Sequence, residues 1–281
     1  MKRFFLLITA VVMTAGIASA QDINEATTNY NNGATELQMG NNEAALTYFQ
    51  TALQMGEALG EPAADLVANC KNAICSVTLS MAKDLYNAKD FAGAIEAFNK
   101  AKEVAETYGD AETAAEAEDL AAQANKLQYN TAGTAAKRSK DYAGAIENFT
   151  KVLEMDPTNG AAAFNLGDSY YRLKKFAEAE TYLLQAKENG QEKAANPRLA
   201  SISLMKAKAS LKAKNYQEVI DFATKANEYV ENANAHKLAA SAAQKMGNSA
   251  LCIEFYEKYL AAKPNANDAS GVTFTIAALY Q

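Results

Sequence analysis

The chain has one histidine, no tryptophan, three cysteines and four prolines in 281 residues. Each shortage excludes something. A lone His236 cannot supply a His/Cys cluster with metal-ligand spacing, and in a helical segment it reads as a structural or groove-facing residue rather than a catalytic one. Ser203-Leu204-Met205-Lys206 spells S-x-x-K, but the S-D-N and K-T-G elements that accompany this motif in penicillin-binding enzymes are missing. Neither a glycine-rich phosphate loop nor a calcium loop is written anywhere. The expectation is a protein without metal, cofactor or enzymatic activity. Cys70, Cys75 and Cys252 are too few for a disulfide framework. Cys70 and Cys75 stand five apart in a helical pattern, which turns them in different directions with Cα atoms beyond the ~7 Å reach of a disulfide. They read as small buried apolar residues.

Long apolar runs are also scarce. The only one, Phe4 to Ile17, follows Lys2 and Arg3 and ends at Ala18-Ser19-Ala20. That is the layout of a secretory leader cleaved after Ala20. A retained anchor is the alternative, although the run falls short of the ~20 residues a spanning helix needs. An exported, mainly periplasmic address follows, with the outer-membrane surface and the medium as alternatives, and with no membrane span after cleavage. Removing Lys2 and Arg3 from 27 basic residues leaves 25 against 33 acidic ones, a net charge near −8. So acidic a chain is a poor binder of nucleic acid, which demands clustered phosphate neutralisation. The acidic run from Glu112 to Asp119 reads as a solvated helix face.

What the chain does have is alanine, glutamate, lysine, leucine and glutamine, a helix-forming mixture. Apolar residues recur every three or four positions, with no alternating strand pattern. One ladder repeats: Ala45–Phe49–Ala52, Ala94–Phe98–Ala101, Ala145–Phe149–Val152 and Ala179–Leu183–Ala186, with weaker forms at Val219–Ala223–Ala226 and Cys252–Tyr256–Tyr259. Twelve residues before each ladder stands another small residue: Gly33, Ala82, Gly133, Gly167, Ala207 and Ala240. Small residues on two consecutive helices let the backbones approach, and the bulky ladder residue fills the space beside them. Between the two rows lie turn sequences such as Lys89-Asp90, Lys140-Asp141 and Gly247-Asn248, where Asp or Asn can cap the following helix. Each unit is thus expected to be an antiparallel helix pair.

The pattern resembles the tetratricopeptide repeat, a helix–turn–helix unit with W-x2-L-G-x2-Y, then A-x3-F, then P. Leu166-Gly167-x-x-Tyr170 followed by Ala179 carries the resemblance best, and Ala145–Phe149 with Pro157 carries its second half. The spacings of the small row are 49, 51, 34, 40 and 33 residues, so the first two units are longer than the 34-residue standard. The resemblance implies an all-α, right-handed superhelical solenoid. Units are expected at 24–60, 62–108, 110–157, 160–190, 197–231 and 233–264, with a capping helix at 268–281. Pro62 and Pro197 are placed in the first turns of new helices. The capping segment is less polar than an end cap should be, which makes it a candidate dimer contact.

In the family so resembled, first helices line a concave groove that binds extended peptides or partner helices. Counting from the small row, the groove residues expected here are Lys83, Asn87, Asn130, Arg138, Phe164, Asp168, Arg172, Lys208, Lys212, Lys237 and Lys245. Basic residues dominate the later units, which suits an acidic segment or a chain-terminal carboxylate. The alternative is that cations near helix ends only answer the helix dipole. A structural subunit acting through its convex face or terminal helix is the competing function. If the register is right, Ala145→Leu overpacks a helix pair and should cost about 1–3 kcal/mol in chemical denaturation.

Overall fold

The computed structural model describes residues 20–280, so the leader reading lies outside the described residues. Thirteen α-helices and no strand occur among them. The chain forms two compact units that divide after Gln128, inside helix α5 (Ala111–Arg138). In each unit, helices pack on their neighbours along the chain, and alternate helices touch as well. Each unit is an all-α stack of helix pairs, as the repeated ladder predicts.

In the first unit, α1 (Ala20–Gln38) pairs with α2 (Asn42–Leu59), and α3 (Ala64–Asn87) with α4 (Phe91–Tyr108). The long spacings are absorbed by helix length, 24 residues in α3 and 28 in α5. The chain breaks at Gly60 and Gly109, both with positive φ. Pro62 sits in a single 3₁₀ turn, Glu61–Ala63, just before α3. The second unit continues with α6 (Tyr142–Met155), α7 (Gly160–Arg172), α8 (Phe176–Ala186), α9 (Glu192–Lys212), α10 (Tyr216–Tyr229), α11 (Ala233–Lys245), α12 (Ser249–Ala262) and α13 (Ala269–Leu279).

Every member of the small row, and every member of the ladder twelve residues later, is buried. The contacts explain why. A Cβ added to Gly167 would lie 2.8 Å from Cγ of Leu183, 3.0 Å from its backbone nitrogen and 3.2 Å from the carbonyl oxygen of Ala179. On Gly33 it would meet the Phe49 ring at 2.9 Å and the Ala45 carbonyl at 3.2 Å. First and second helices therefore touch through backbone, and the ladder aromatic closes the gap. The largest fully buried side chains include Phe49, Phe98, Phe149 and Leu183, one per ladder.

One turn joins first to second helix six times. At α3–α4, the amide of Lys89 donates to the carbonyl of Tyr86, and that of Asp90 to the carbonyl of Leu85. The same pair of bonds recurs at Gly40-Asn41, Lys140-Asp141, Lys174-Lys175, Lys214-Asn215 and Gly247-Asn248. This crossed pair satisfies the last carbonyls of a helix and requires a left-handed residue. Glycine takes that position at 40 and 247, but Lys89, Lys140, Lys174 and Lys214 adopt φ of 61–64°. The following residue opens the next helix. Asp90, Asp141 and Asn248 accept from the amide three residues on at 2.9–3.1 Å, whereas Lys175 makes no such bond.

Two expectations need comment. Helix α9 starts at Glu192, not at Pro197, and proline lies inside it. Glu192 to Asn196 is good helix-forming sequence, and Ala195 and Leu199 join the core built on α6 to α8. Burial there outweighs the one hydrogen bond that proline removes. The cysteines are buried and unpaired, and burial pushes the Cys70 and Cys75 thiols up to about 11. Left-handed lysine costs about 1–2 kcal/mol, while glycine loses about 0.5–1 kcal/mol more chain entropy. Lys174→Gly should therefore stabilise the fold by about 0.5–1 kcal/mol, read as a higher urea midpoint.

Candidate functional site

Three first helices of the second unit are tied together by charge. Asp168 on α7 is 3% exposed. Its Oδ1 accepts from Arg198 Nε of α9 at 2.8 Å, and its Oδ2 lies 2.9 Å from Lys137 Nζ of α5. Lys137 also donates to Asn165 Oδ1 at 2.8 Å and lies over the Phe164 ring. Tyr171 and Ser201 share a hydrogen bond of 2.8 Å, and Arg198 stacks over Tyr171 at 5.3 Å. Both α7–α9 polar contacts span 30 residues, so these helices run parallel and present one continuous face. Burial by itself raises the Asp168 carboxyl, but the hydrogen bonds from Arg198 and Lys137 outweigh it and hold the group below its usual range.

The expected groove residues divide on this face. Arg138, Lys208, Lys212 and Lys245 are exposed and form no ion pair among the described residues. Arg172 is exposed, 3.9 Å from Asp168. Asn130 and Asn87 are exposed, and Phe164 is half-buried. Three residues serve the fold instead. Asp168 is the buried anion of the network, which removes it from ligand contact. Lys83 pairs with Glu116 at 2.6 Å within the first unit. Lys237 pairs with Asp268, which also accepts from Tyr259 Oη and is held at about 2 by these two hydrogen bonds. That contact fixes the start of α13 against α11 and α12.

Position counting from the small row missed Lys137 and Arg198. Lys137 lies one residue from a predicted position, and Arg198 lies nine before the small residue of its unit, on the part of α9 that extends upstream. A mixed-charge triad on three consecutive first helices was the available signal. A second cluster lies elsewhere. Glu180 of α8 receives Lys206 of α9 and, at 3.4 Å, Lys225 of α10. The predicted structural His236 lines a cleft of about 540 Å³ with Asn227, Phe255 and Lys258. Its Nδ1 is 3.2 Å from Asn227 Nδ2, and burial followed by the Lys258 charge lowers its pKa. No group of three His, Cys, Asp or Glu residues that could hold a metal occurs among the described residues, and no described helix is long and apolar enough to cross a membrane.

Residues 136–208, the stretch containing this network, match the family model for the tetratricopeptide repeat. Over those residues the chain is similar to tetratricopeptide repeats. No curated protein matches it significantly. Among solved structures, a MamA protein is 23% identical, with 56% of this chain and 81% of that chain covered and a TM-score of 0.36. YrrB, described as a TPR protein with an unusual peptide-binding site, is 19% identical over 70% of this chain and 90% of its own, TM-score 0.35. The pilF protein of Pseudomonas aeruginosa is 17% identical, covering 89% and 98%, TM-score 0.33. Scores this low transfer neither ligand nor location.

The Asp168 network sets a pH dependence. The folded carboxyl is the stronger acid, so its contribution is complete above the unfolded pKa of about 4 and is lost as pH falls through the folded value. Asp168→Asn should cost about 2–3 kcal/mol at pH 7, less than a fully enclosed pair because Lys137 and Arg198 stay a quarter to a third exposed. The same variant should flatten the loss of stability as pH falls below about 4, measured by urea melts at each pH.

Proposed function

We propose that the chain is a non-catalytic scaffold of the cell envelope that holds a protein or peptide partner along its first-helix face. One observation carries the reading. Beside the Asp168 network, Arg138, Arg172, Lys208, Lys212 and Lys245 stand exposed on consecutive parallel helices. Five cations on one face of an acidic chain match an acidic segment or a chain-terminal carboxylate, and both arginines can grip a carboxylate through two N–H groups. The network beneath them matters as much as the charges. It fixes helix spacing before binding, so little ordering cost remains to be met on association. The leader-like Phe4–Ile17 run supports the envelope address.

A second reading has its own support. Helix α13 buries Val272 but leaves Phe274 77% exposed, and Tyr280 just after it is 69% exposed. Apolar surface at the end of a helical stack is what a subunit of a larger assembly would cover. Removing residues 269–281 and measuring mass in solution separates this reading from the first.

The groove reading is tested with Arg172→Glu together with Lys212→Glu. An acidic synthetic peptide with a free C-terminus should bind the parent and bind this variant about tenfold or more weakly, because each reversal turns attraction into repulsion at the same place. Amidating the peptide C-terminus shows whether the terminal carboxylate takes part. Equal affinity for parent and variant would falsify the groove assignment.

A further inference from the structure

The turns between first and second helices of the second unit carry a feature that the fold does not require. Three place lysine in the left-handed position, Lys140, Lys174 and Lys214, where Gly247 fills the fourth. Lysine there is a strained choice, and glycine is available to the same turn in the same unit. Lys175 occupies the capping position where Asp141 and Asn248 accept a bond, and it accepts none. The helix field does not call for these charges, since one helix ends and the next begins at each turn and the two dipoles oppose. All four lysines are exposed, and none is ion-paired among the described residues.

The turns are also neighbours. Each helix pair is antiparallel and successive first helices are parallel, so these turns lie along one edge of the unit. Arg172, Lys212 and Lys245 sit at the helix ends just before them. The carboxylates beside them are Asp141, Glu178 and Glu218; Asp141 is engaged as a cap and Glu218 by Ser210. Seven cations against these three carboxylates leave the edge positive. Two turns add apolar side chains, Leu173 at 41% and Met246 at 45% exposure. The turns at the other edge carry Asp156, Glu188, Glu231 and Asp268 against Lys187 and Lys263, with Met155 and Val230 about as exposed there as Leu173 and Met246 are here.

We propose that this edge docks the second unit onto an anionic lipid surface. The occupant follows from the chemistry. Lysines at turn tips are protruding point charges on flexible stems, suited to a diffuse field rather than to one carboxylate in fixed geometry. Exposed leucine and methionine among them suit the headgroup boundary, where basic and apolar groups act together. The acidic opposite edge turns the unit so that its basic edge faces the charge. The turn lysines lie beyond the first-helix face, and Arg172, Lys212 and Lys245 stand where the two surfaces meet.

The test uses the full chain and a variant combining Lys140→Gly, Lys174→Gly, Lys175→Asn and Lys214→Gly. These changes remove charge while relieving strain and restoring a cap, so the variant should melt no lower than the parent. Residues 1–20 are common to both proteins and cancel in the comparison. The parent should sediment with phosphatidylcholine vesicles containing phosphatidylglycerol about tenfold more strongly than with phosphatidylcholine alone, with loss at high salt. The variant should lose about tenfold or more of that preference. Retained binding of the acidic peptide by the variant keeps the two surfaces separate; absence of peptide binding by the parent sinks the groove reading and leaves this one standing. Equal binding of the parent to both vesicle types, or an unchanged preference in the variant, overturns the lipid proposal. So does a parent that ignores vesicles while the variant loses a poly-glutamate peptide, which would make the edge a protein contact.

Discussion

Helix-to-helix backbone contact is the constraint from which the rest follows. Where Gly167 faces Leu183 and Ala179, or Gly33 faces Phe49 and Ala45, there is no room for one further carbon. Contact that close fixes the separation and register of the pair, and the ladder aromatic then has a single place to go. Interiors are packed to crystal-like density, so such a site cannot relax around a larger residue. Pairs set in this way present a second surface on which the next pair stacks, and the stack grows by repetition rather than around a single centre.

Charge is used differently at different depths of the second unit. Inside, Asp168, Lys137 and Arg198 satisfy one another across three helices, and Glu180 does the same with Lys206 and Lys225. These are partly desolvated interactions that hold the carboxyls below their usual range. They align helices and leave little charge for a ligand. Outside, Arg138, Lys212, Lys245 and the turn lysines form no ion pair among the described residues, although the chain as a whole is acidic. A cation that the fold neutralises is part of the frame, whereas one left free beside it is part of a surface.

The turn shows how local strain and surface chemistry coexist. Its crossed hydrogen bonds are made six times, with glycine or lysine in the left-handed position. Backbone satisfaction is the same in both cases, so the difference lies in what the side chain offers to the solvent. Glycine minimises strain, and lysine adds a protruding charge at a modest cost in stability.

Much of this was legible beforehand. The twelve-residue offset between Gly133 and Ala145, or Gly167 and Ala179, specified the helix pair, because only small residues tolerate that approach. The turn sequences specified where pairs reverse. The exposure of Arg138, Arg172, Lys212 and Lys245 also followed from counting. Linear spacing could not show that α9 starts at Glu192, since buried contacts of Ala195 and Leu199 decide it. Nor could it show that Asp168 and Lys237 are consumed by Arg198, Lys137 and Asp268. Local periodicity fixes which side of a helix a residue faces, because helix geometry is a property of the chain itself. Whether a charge on that side meets solvent or an opposite charge depends on a residue some thirty positions away, and only packing brings the two together.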